Sequence, residues 1–134
     1  NAEIGPPIEL TVDSVGVTHA KLHWMPPSPL RSAVTGYRLQ YSTKTEDASP
    51  TTVDLSGEDL TCKDRNAPPT RRCYKLPNLK PMMSYGAQVQ ARAESGNWGD
   101  WSTKVYFTTR EDGGLLNGSL YLISNTDTNI KVSA

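Results

Sequence analysis

The sequence predicts an all-β protein: seven short strands in two antiparallel sheets packed face to face, followed by a C-terminal extension with the pattern of a hairpin. Two observations carry this prediction. Apolar and polar residues alternate in segment after segment, as in Ala20-Lys21-Leu22-His23-Trp24 and Ala87-Gln88-Val89-Gln90-Ala91, and a period of two places each set on its own face of a strand. Between these segments stand turn residues: the 134 residues include ten Gly and ten Pro, and turn signals recur about every ten residues. Short half-buried strands at that spacing close as a two-sheet sandwich. No segment approaches the ~20 consecutive apolar residues of a membrane-spanning helix.

Taken in order, Gly5-Pro6-Pro7 opens the chain, and prolines without an N–H suit the lead-in to an edge strand. Ile8-Glu9-Leu10-Thr11-Val12-Asp13 then alternates as the first strand. His19–Trp24 is the second, with Ala20, Leu22 and Trp24 on the buried face and His19, Lys21 and His23 on the other. Met25-Pro26-Pro27-Ser28-Pro29 ends it. Gly36 opens the third strand, Tyr37–Ser42, with Tyr37, Leu39 and Tyr41 inward. Thr51–Leu55 is a short fourth strand, and the polar, basic stretch from Ser56 to Arg72 is a loop. Cys73–Leu76 returns as the fifth. The sixth runs from Tyr85 to Ala93, with Gln88, Gln90 and Arg92 outward, and Lys104–Thr108 is the seventh, with Val105 and Phe107 inward. Residues 111–134 read as a linker and the start of a following segment or domain, with hairpin pattern in 119–124 and 129–132. A lone hairpin is marginal, so it either pairs with a neighbour, that following domain or alternatively an exposed strand of the sandwich, or stays disordered.

Fourteen Lys and Arg balance fourteen Asp and Glu, which removes the electrostatic footprint of a nucleic-acid or membrane-surface binder. The N-terminus lacks the basic, apolar and small-residue succession of a signal peptide, so the chain reads as mature or as a cut piece. Cys62 and Cys73 are the only cysteines, with no second ligand pair for zinc. They read as a disulfide closing a short loop, worth roughly 3 kcal/mol by chain entropy; two free thiols are the alternative. A bridge of this kind points to an oxidising compartment, as does the glycosylation sequon at Asn117. His19 and His23 stand ~13 Å apart along a strand and cannot share a metal. No nucleophile elbow or phosphate-binding Gly loop is present, and the acidic residues fall mostly in loops. These absences point to a non-catalytic protein with no metal or cofactor.

The elements carry a resemblance. Pro6-Pro7, Trp24, Gly36-Tyr37 and above all Leu79-x-Pro81-x-x-x-Tyr85 resemble a fibronectin type III domain, in the right order and over about four-fifths of the chain. That resemblance implies an immunoglobulin-like sandwich over residues 1–110 and a tyrosine corner, in which the Tyr85 hydroxyl bonds back to backbone near Leu79 and Pro81. The long loop closed by Cys62 and Cys73 departs from the compact members.

Trp98-Gly99-Asp100-Trp101-Ser102 sets two tryptophans three residues apart in a turn-rich segment, and rings of that size need cover. The segment is similar to the W-S-x-W-S box of type I cytokine receptors, and departs from it at Gly99, where the family has Ser. The resemblance implies a stack of Trp98 and Trp101 with cations from neighbouring strands, here Arg38, Arg92 and Lys104, each worth roughly 0.5 to 1 kcal/mol over an indole. For partner contact the candidates are Arg65, Arg71 and Arg72 of the closed loop, then Leu30 and Arg31 after Pro29, because loops on a rigid scaffold carry contact residues. The cations between Lys63 and Arg72 also suit a sulfated glycan. The function implied is an extracellular protein–protein interaction module of a cell-surface receptor or adhesion protein, in the ectodomain of a single-pass membrane protein. It involves no nucleic acid and no membrane insertion of this segment. The alternatives are a cytokine-receptor-like hormone-binding domain and a structural spacer in a receptor stalk or secreted enzyme.

Overall fold

A computed structural model describes residues 4–29, 33–45, 48–55 and 60–111. Its strands are β1 (Ile8–Val15), β2 (Ala20–Met25), β3 (Val34–Thr43), β4 (Thr51–Leu55), β5 (Arg72–Leu76), β6 (Ser84–Ala93) and β7 (Val105–Thr108). They form two antiparallel sheets, ordered β1-β2-β5 and β4-β3-β6-β7. Each expected strand is present, with ends shifted by a few residues. The largest shift is at β3, which starts at Val34 because an irregularity between Val34 and Gly36 lets the chain pair with Ala93 before the regular ladder begins. The expected linker and hairpin of 111–134 lie, apart from Glu111, outside the described residues.

The alternation read from the sequence sorts the faces. Ala20, Leu22 and Trp24 of β2, Tyr37 and Leu39 of β3, and Tyr85, Ala87, Val89, Ala91 and Ala93 of β6 are buried between the sheets. Trp24 meets Tyr37 edge to face with ring centroids 5.5 Å apart, one of the two preferred aromatic geometries. Lower in the sandwich the Tyr85 ring stacks on Phe107 at 5.7 Å. Apolar burial on this pattern, worth about 25 cal/mol per Å², is what holds the two sheets together.

The end of the sandwich where β1 runs into β2 is stitched by hydrogen bonds. The Lys80 N–H donates to the Tyr85 hydroxyl oxygen at 2.8 Å, the upstream bond of a tyrosine corner, and Leu79 beside it is buried. Thr109 Oγ1 accepts from the Met83 N–H at 2.9 Å and donates to the Lys80 carbonyl. The Arg110 side chain closes the end, its Nε–H donating to the Val15 carbonyl at 2.8 Å.

Three features depart from the alternation. Leu60, inside the stretch read as a polar loop, is fully buried and belongs to the core. Ile4, ahead of the expected first strand, is 1 % exposed. Gln90, expected outward in solvent, is only 7 % exposed, because the segment after β6 folds back over it.

Candidate functional site

Strand polarity gathers three connections at one end, opposite the tyrosine corner. β2 ends at Met25, paired with Ile8; β4 ends at Leu55, paired with Tyr37; β6 ends at Ala93, paired with Val34. The chain therefore leaves β2, β4 and β6 at the same pole. It re-enters β5 there too, since Arg72 pairs with Trp24.

The connection after β6 is built in detail. Gly96 takes a φ of 98°, a left-handed turn that a side chain would strain. The chain then returns alongside β6: the Ala93 N–H donates to the Asn97 carbonyl at 2.8 Å, the Gly99 N–H to the Ala91 carbonyl at 2.8 Å, and the Ser102 N–H to the Val89 carbonyl at 2.7 Å. The Ser102 hydroxyl accepts from the Val89 N–H at 3.0 Å, so this buried serine takes both backbone groups of Val89. Gly99 is also buried, and a Cβ there would stand 2.7 Å from the Ile4 carbonyl oxygen. The lead-in segment before β1 thus requires a glycine at the position where the resemblance has serine. In place of a hydroxyl, the Gln90 side-chain amide donates to the Gly99 carbonyl at 3.0 Å.

This path lays the Trp98 ring over the outer face of the four-stranded sheet. The Arg38 guanidinium carbon lies 4.0 Å from a Trp98 ring centroid and that of Arg92 lies 5.9 Å away, both within the ~6 Å reach of a cation–π contact. Arg38 is further fixed from both sides. Its Nε–H donates to Asp54 Oδ1 at 2.8 Å and its Nη1–H to Gln90 Oε1 at 3.4 Å. The pairing of Arg38 with both Asp54 and Gln90 in the ladder makes this geometry. The sequence signalled the cation and the ring, but not the carboxylate and the amide that orient them.

The other members of the expected stack stand elsewhere. Trp101 is half-buried, and the cation–π contacts among the described residues run to Trp98 and Tyr106. Lys104 lies beside Gly86: a Cβ on that glycine would meet its Cδ at 3.1 Å and the Tyr106 ring at 3.0 Å. The reason is geometric. The returning chain has passed Val89 at Ser102 and reaches Ala87 at Val105, which sets Lys104 level with Gln88, roughly 13 Å down the sheet from Arg92 at ~3.3 Å per residue. Tyr106 there covers Gly86 and carries Lys44 Nζ 4.9 Å over its ring.

The closed loop is a disulfide-bonded unit. Cys62 and Cys73 are bridged with Cα atoms 5.0 Å apart, and Thr61 forms an antiparallel bridge with Arg72. Leu60 anchors one end in the core. The three arginines chosen from sequence separate accordingly. Arg65 is exposed. Arg72 is held by the loop itself, its Nε–H donating to the Arg71 carbonyl at 3.1 Å and its Nη2–H to the Pro69 carbonyl at 3.1 Å. Arg71 is half-buried with its Nε closed off from solvent. Leu30, Arg31 and Asn117 lie outside the described residues. Burial pushes the Tyr37 hydroxyl up to about 12, against the opposing pull of the Arg72 charge.

The fold matches a known family. The profile of the fibronectin type III domain covers residues 5–108. The chain belongs to that family. Solved fibronectin type III domains have the same architecture. The third such domain of the human KIAA0343 protein aligns with a TM-score of 0.64 at 22% identity, covering 88% of this chain and 93% of that one. A domain of human fibronectin type III domain containing protein 3 aligns with a TM-score of 0.64 at 24% identity over 88% and 96%. The FN5 domain of Drosophila Lar aligns at 0.58 and 19% identity over 80% and 97%. At these identities the likeness is one of fold. No curated protein matches the chain significantly. Members of the family serve typically as interaction or structural modules and are generally non-catalytic. Among the described residues no group of three His, Cys, Asp or Glu is placed to hold a metal ion, and no helix is long and apolar enough to cross a membrane.

Proposed function

We propose that this fibronectin type III domain is a non-catalytic protein-interaction module in the extracellular part of a cell-surface receptor or adhesion protein, and that it meets its partner with the loop pole. The observation that supports this is the stapled loop. A disulfide, a buried leucine and the internally bonded Arg72 fix its base, while Lys63 and Arg65 remain exposed. A contact surface ordered in advance loses little entropy when it binds, and a disulfide suits an oxidising, extracellular setting. Leu30 and Arg31 of the connection after β2 are proposed to join the contact. The test is Arg65→Glu combined with Arg31→Glu in the domain displayed for binding to cell surfaces. Loss of binding with an unchanged thermal midpoint supports the reading; unchanged binding refutes it and leaves a structural spacer.

A second reading, a cytokine-receptor-like hormone-binding domain, is favoured by one observation. Trp98 is clasped by Arg38 and Arg92 in the segment that is similar to the receptors' box. Binding of a helical hormone that is lost on substitution in the pole loops would select this reading over adhesion.

A further inference from the structure

On the solvent face of the three-stranded sheet, Lys21 of β2 stands directly opposite Lys75 of β5, and both are exposed. Like charges facing each other across antiparallel strands repel and destabilise the pair. A single acidic exchange at either position would relieve the repulsion. Instead the loop brings a third cation to the same place. Lys63 follows Cys62, whose bridge to Cys73 holds the two Cα atoms 5.0 Å apart, and Lys21, Lys63 and Lys75 line one concavity of about 510 Å³. Two carboxylates, Asp13 and Asp64, also line that concavity against its three lysines, and each makes a hydrogen bond of its own. Asp13 Oδ1 lies 2.6 Å from His23 Nδ1, and Asp64 Oδ1 accepts from the Asn66 backbone N–H at 2.9 Å. The ion pairs among the described residues involve none of the three lysines.

We propose that this lysine facet binds the sulfate groups of a sulfated glycosaminoglycan chain. Protein partners rely on buried aromatic or aliphatic anchors; the one aromatic ring at the concavity, Tyr74, is half-buried against the core, and the exposed large apolar side chains among the described residues, Met82 and Tyr106, are not part of the three-stranded sheet. Lysine ammonium groups act as compact point charges on flexible stems, which suits a flexible chain of sulfates rather than one fixed surface. The disulfide points to the compartment where such chains are found. The site shares Lys63 with the pole contact proposed above and adds Lys21 and Lys75 of the sheet face, so substitution of the two sheet lysines tests the facet and substitution of Arg65 tests the pole.

The experiment is titration of the domain with a size-defined heparin oligosaccharide across a series of salt concentrations. Affinity is expected to fall steeply with salt, since exposed charge pairs are screened over about 10 Å at 0.1 M. Lys21→Ala with Lys75→Ala is expected to weaken it roughly tenfold or more, on the scale known for lysines near an anionic surface. Lys21→Glu separates binding from folding: it places opposite charges across the strands and so is expected to raise the thermal midpoint while losing heparin binding. Arg65→Glu, which tests the pole contact, is expected to change heparin affinity less than threefold. Retention of full affinity by the double lysine variant overturns the proposal, as does a poly-glutamate peptide of equal charge binding as tightly as the oligosaccharide, which would assign the facet to an acidic protein segment.

Discussion

A guanidinium 4.0 Å from the Trp98 ring and hydrogen-bonded to Asp54 and Gln90 loses three partners at once when Arg38 is cut back to alanine. Arg92, exposed and 5.9 Å away, loses one. The ion pair to Asp54 adds little, because Asp54 is 74% exposed and surface pairs are worth about 0 to 1 kcal/mol. Removing Arg38 also leaves the buried Gln90 Oε1 without this donor, and an unmet buried acceptor costs about 1 kcal/mol or more. Arg38→Ala is therefore expected to destabilise the domain by about 1 to 2 kcal/mol and Arg92→Ala by under about 1 kcal/mol; a larger loss at Arg92 in urea unfolding would show that the clasp is ordered differently. Tyr37 gives a pH-dependent counterpart. Its hydroxyl titrates near 12 in the folded chain and near 10 when unfolded. Between those values the unfolded chain binds fewer protons, so stability is fully present below pH 10 and falls as pH rises toward 12. Unfolding free energies measured across that window should decline in the native protein and decline less in Tyr37→Phe.

At the scale of elements, the seven strands were legible because each buries one face, and a half-buried strand writes its period of two directly into the chain. Trp24, Leu39 and Val89 are buried where the alternation put them. The stapled loop was legible only as cysteines and charge. Leu60 carries no period, since a single apolar residue between acidic and polar neighbours belongs to no strand, and only the tertiary path from β4 to β5 shows that it plugs the core. Gln90 was missed for the complementary reason: its position on the outer face was right, but the cover comes from another segment. Gly99 departs from the box for a reason its neighbours in sequence do not carry: Ile4, far away in the chain, packs against it. Two outcomes follow for these elements. Leu60→Ala is expected to cost about 2 to 5 kcal/mol, as for other fully buried leucines, against roughly 3 kcal/mol for Cys62→Ser with Cys73→Ser by loop entropy; a Leu60 cost below about 1 kcal/mol would place the loop outside the core. Gly99→Ser, which restores the residue of the receptor box, is expected to lower the thermal midpoint because its Cβ meets the Ile4 carbonyl; an unchanged midpoint would show that the lead-in segment yields.

At the scale of the molecule, the buried apolar cluster spans Ile4 to Phe107, and both ends of the sandwich are closed by groups within that span or just after it. Thr109 and Arg110 complete the last of these closures, the one around Gly16, Lys80 and Met83. The two-sheet architecture therefore needs the chain as far as Arg110. A protein ending at Glu111 is expected to unfold in one cooperative transition, with a midpoint within a few degrees of the 134-residue chain and the same dependence on urea, since that slope reports the surface exposed on unfolding. Ending two residues earlier, at Thr109, removes the Arg110 Nε–H bond to Val15 and the Arg110 backbone bonds to Gly16 and Met82. Each such bond contributes about 0.5 to 1.5 kcal/mol, so the shorter protein should lose about 2 to 4 kcal/mol. If the protein ending at Glu111 instead shows a lower midpoint and a smaller slope, residues 112–134 add buried surface to the sandwich, and the domain extends past the last strand.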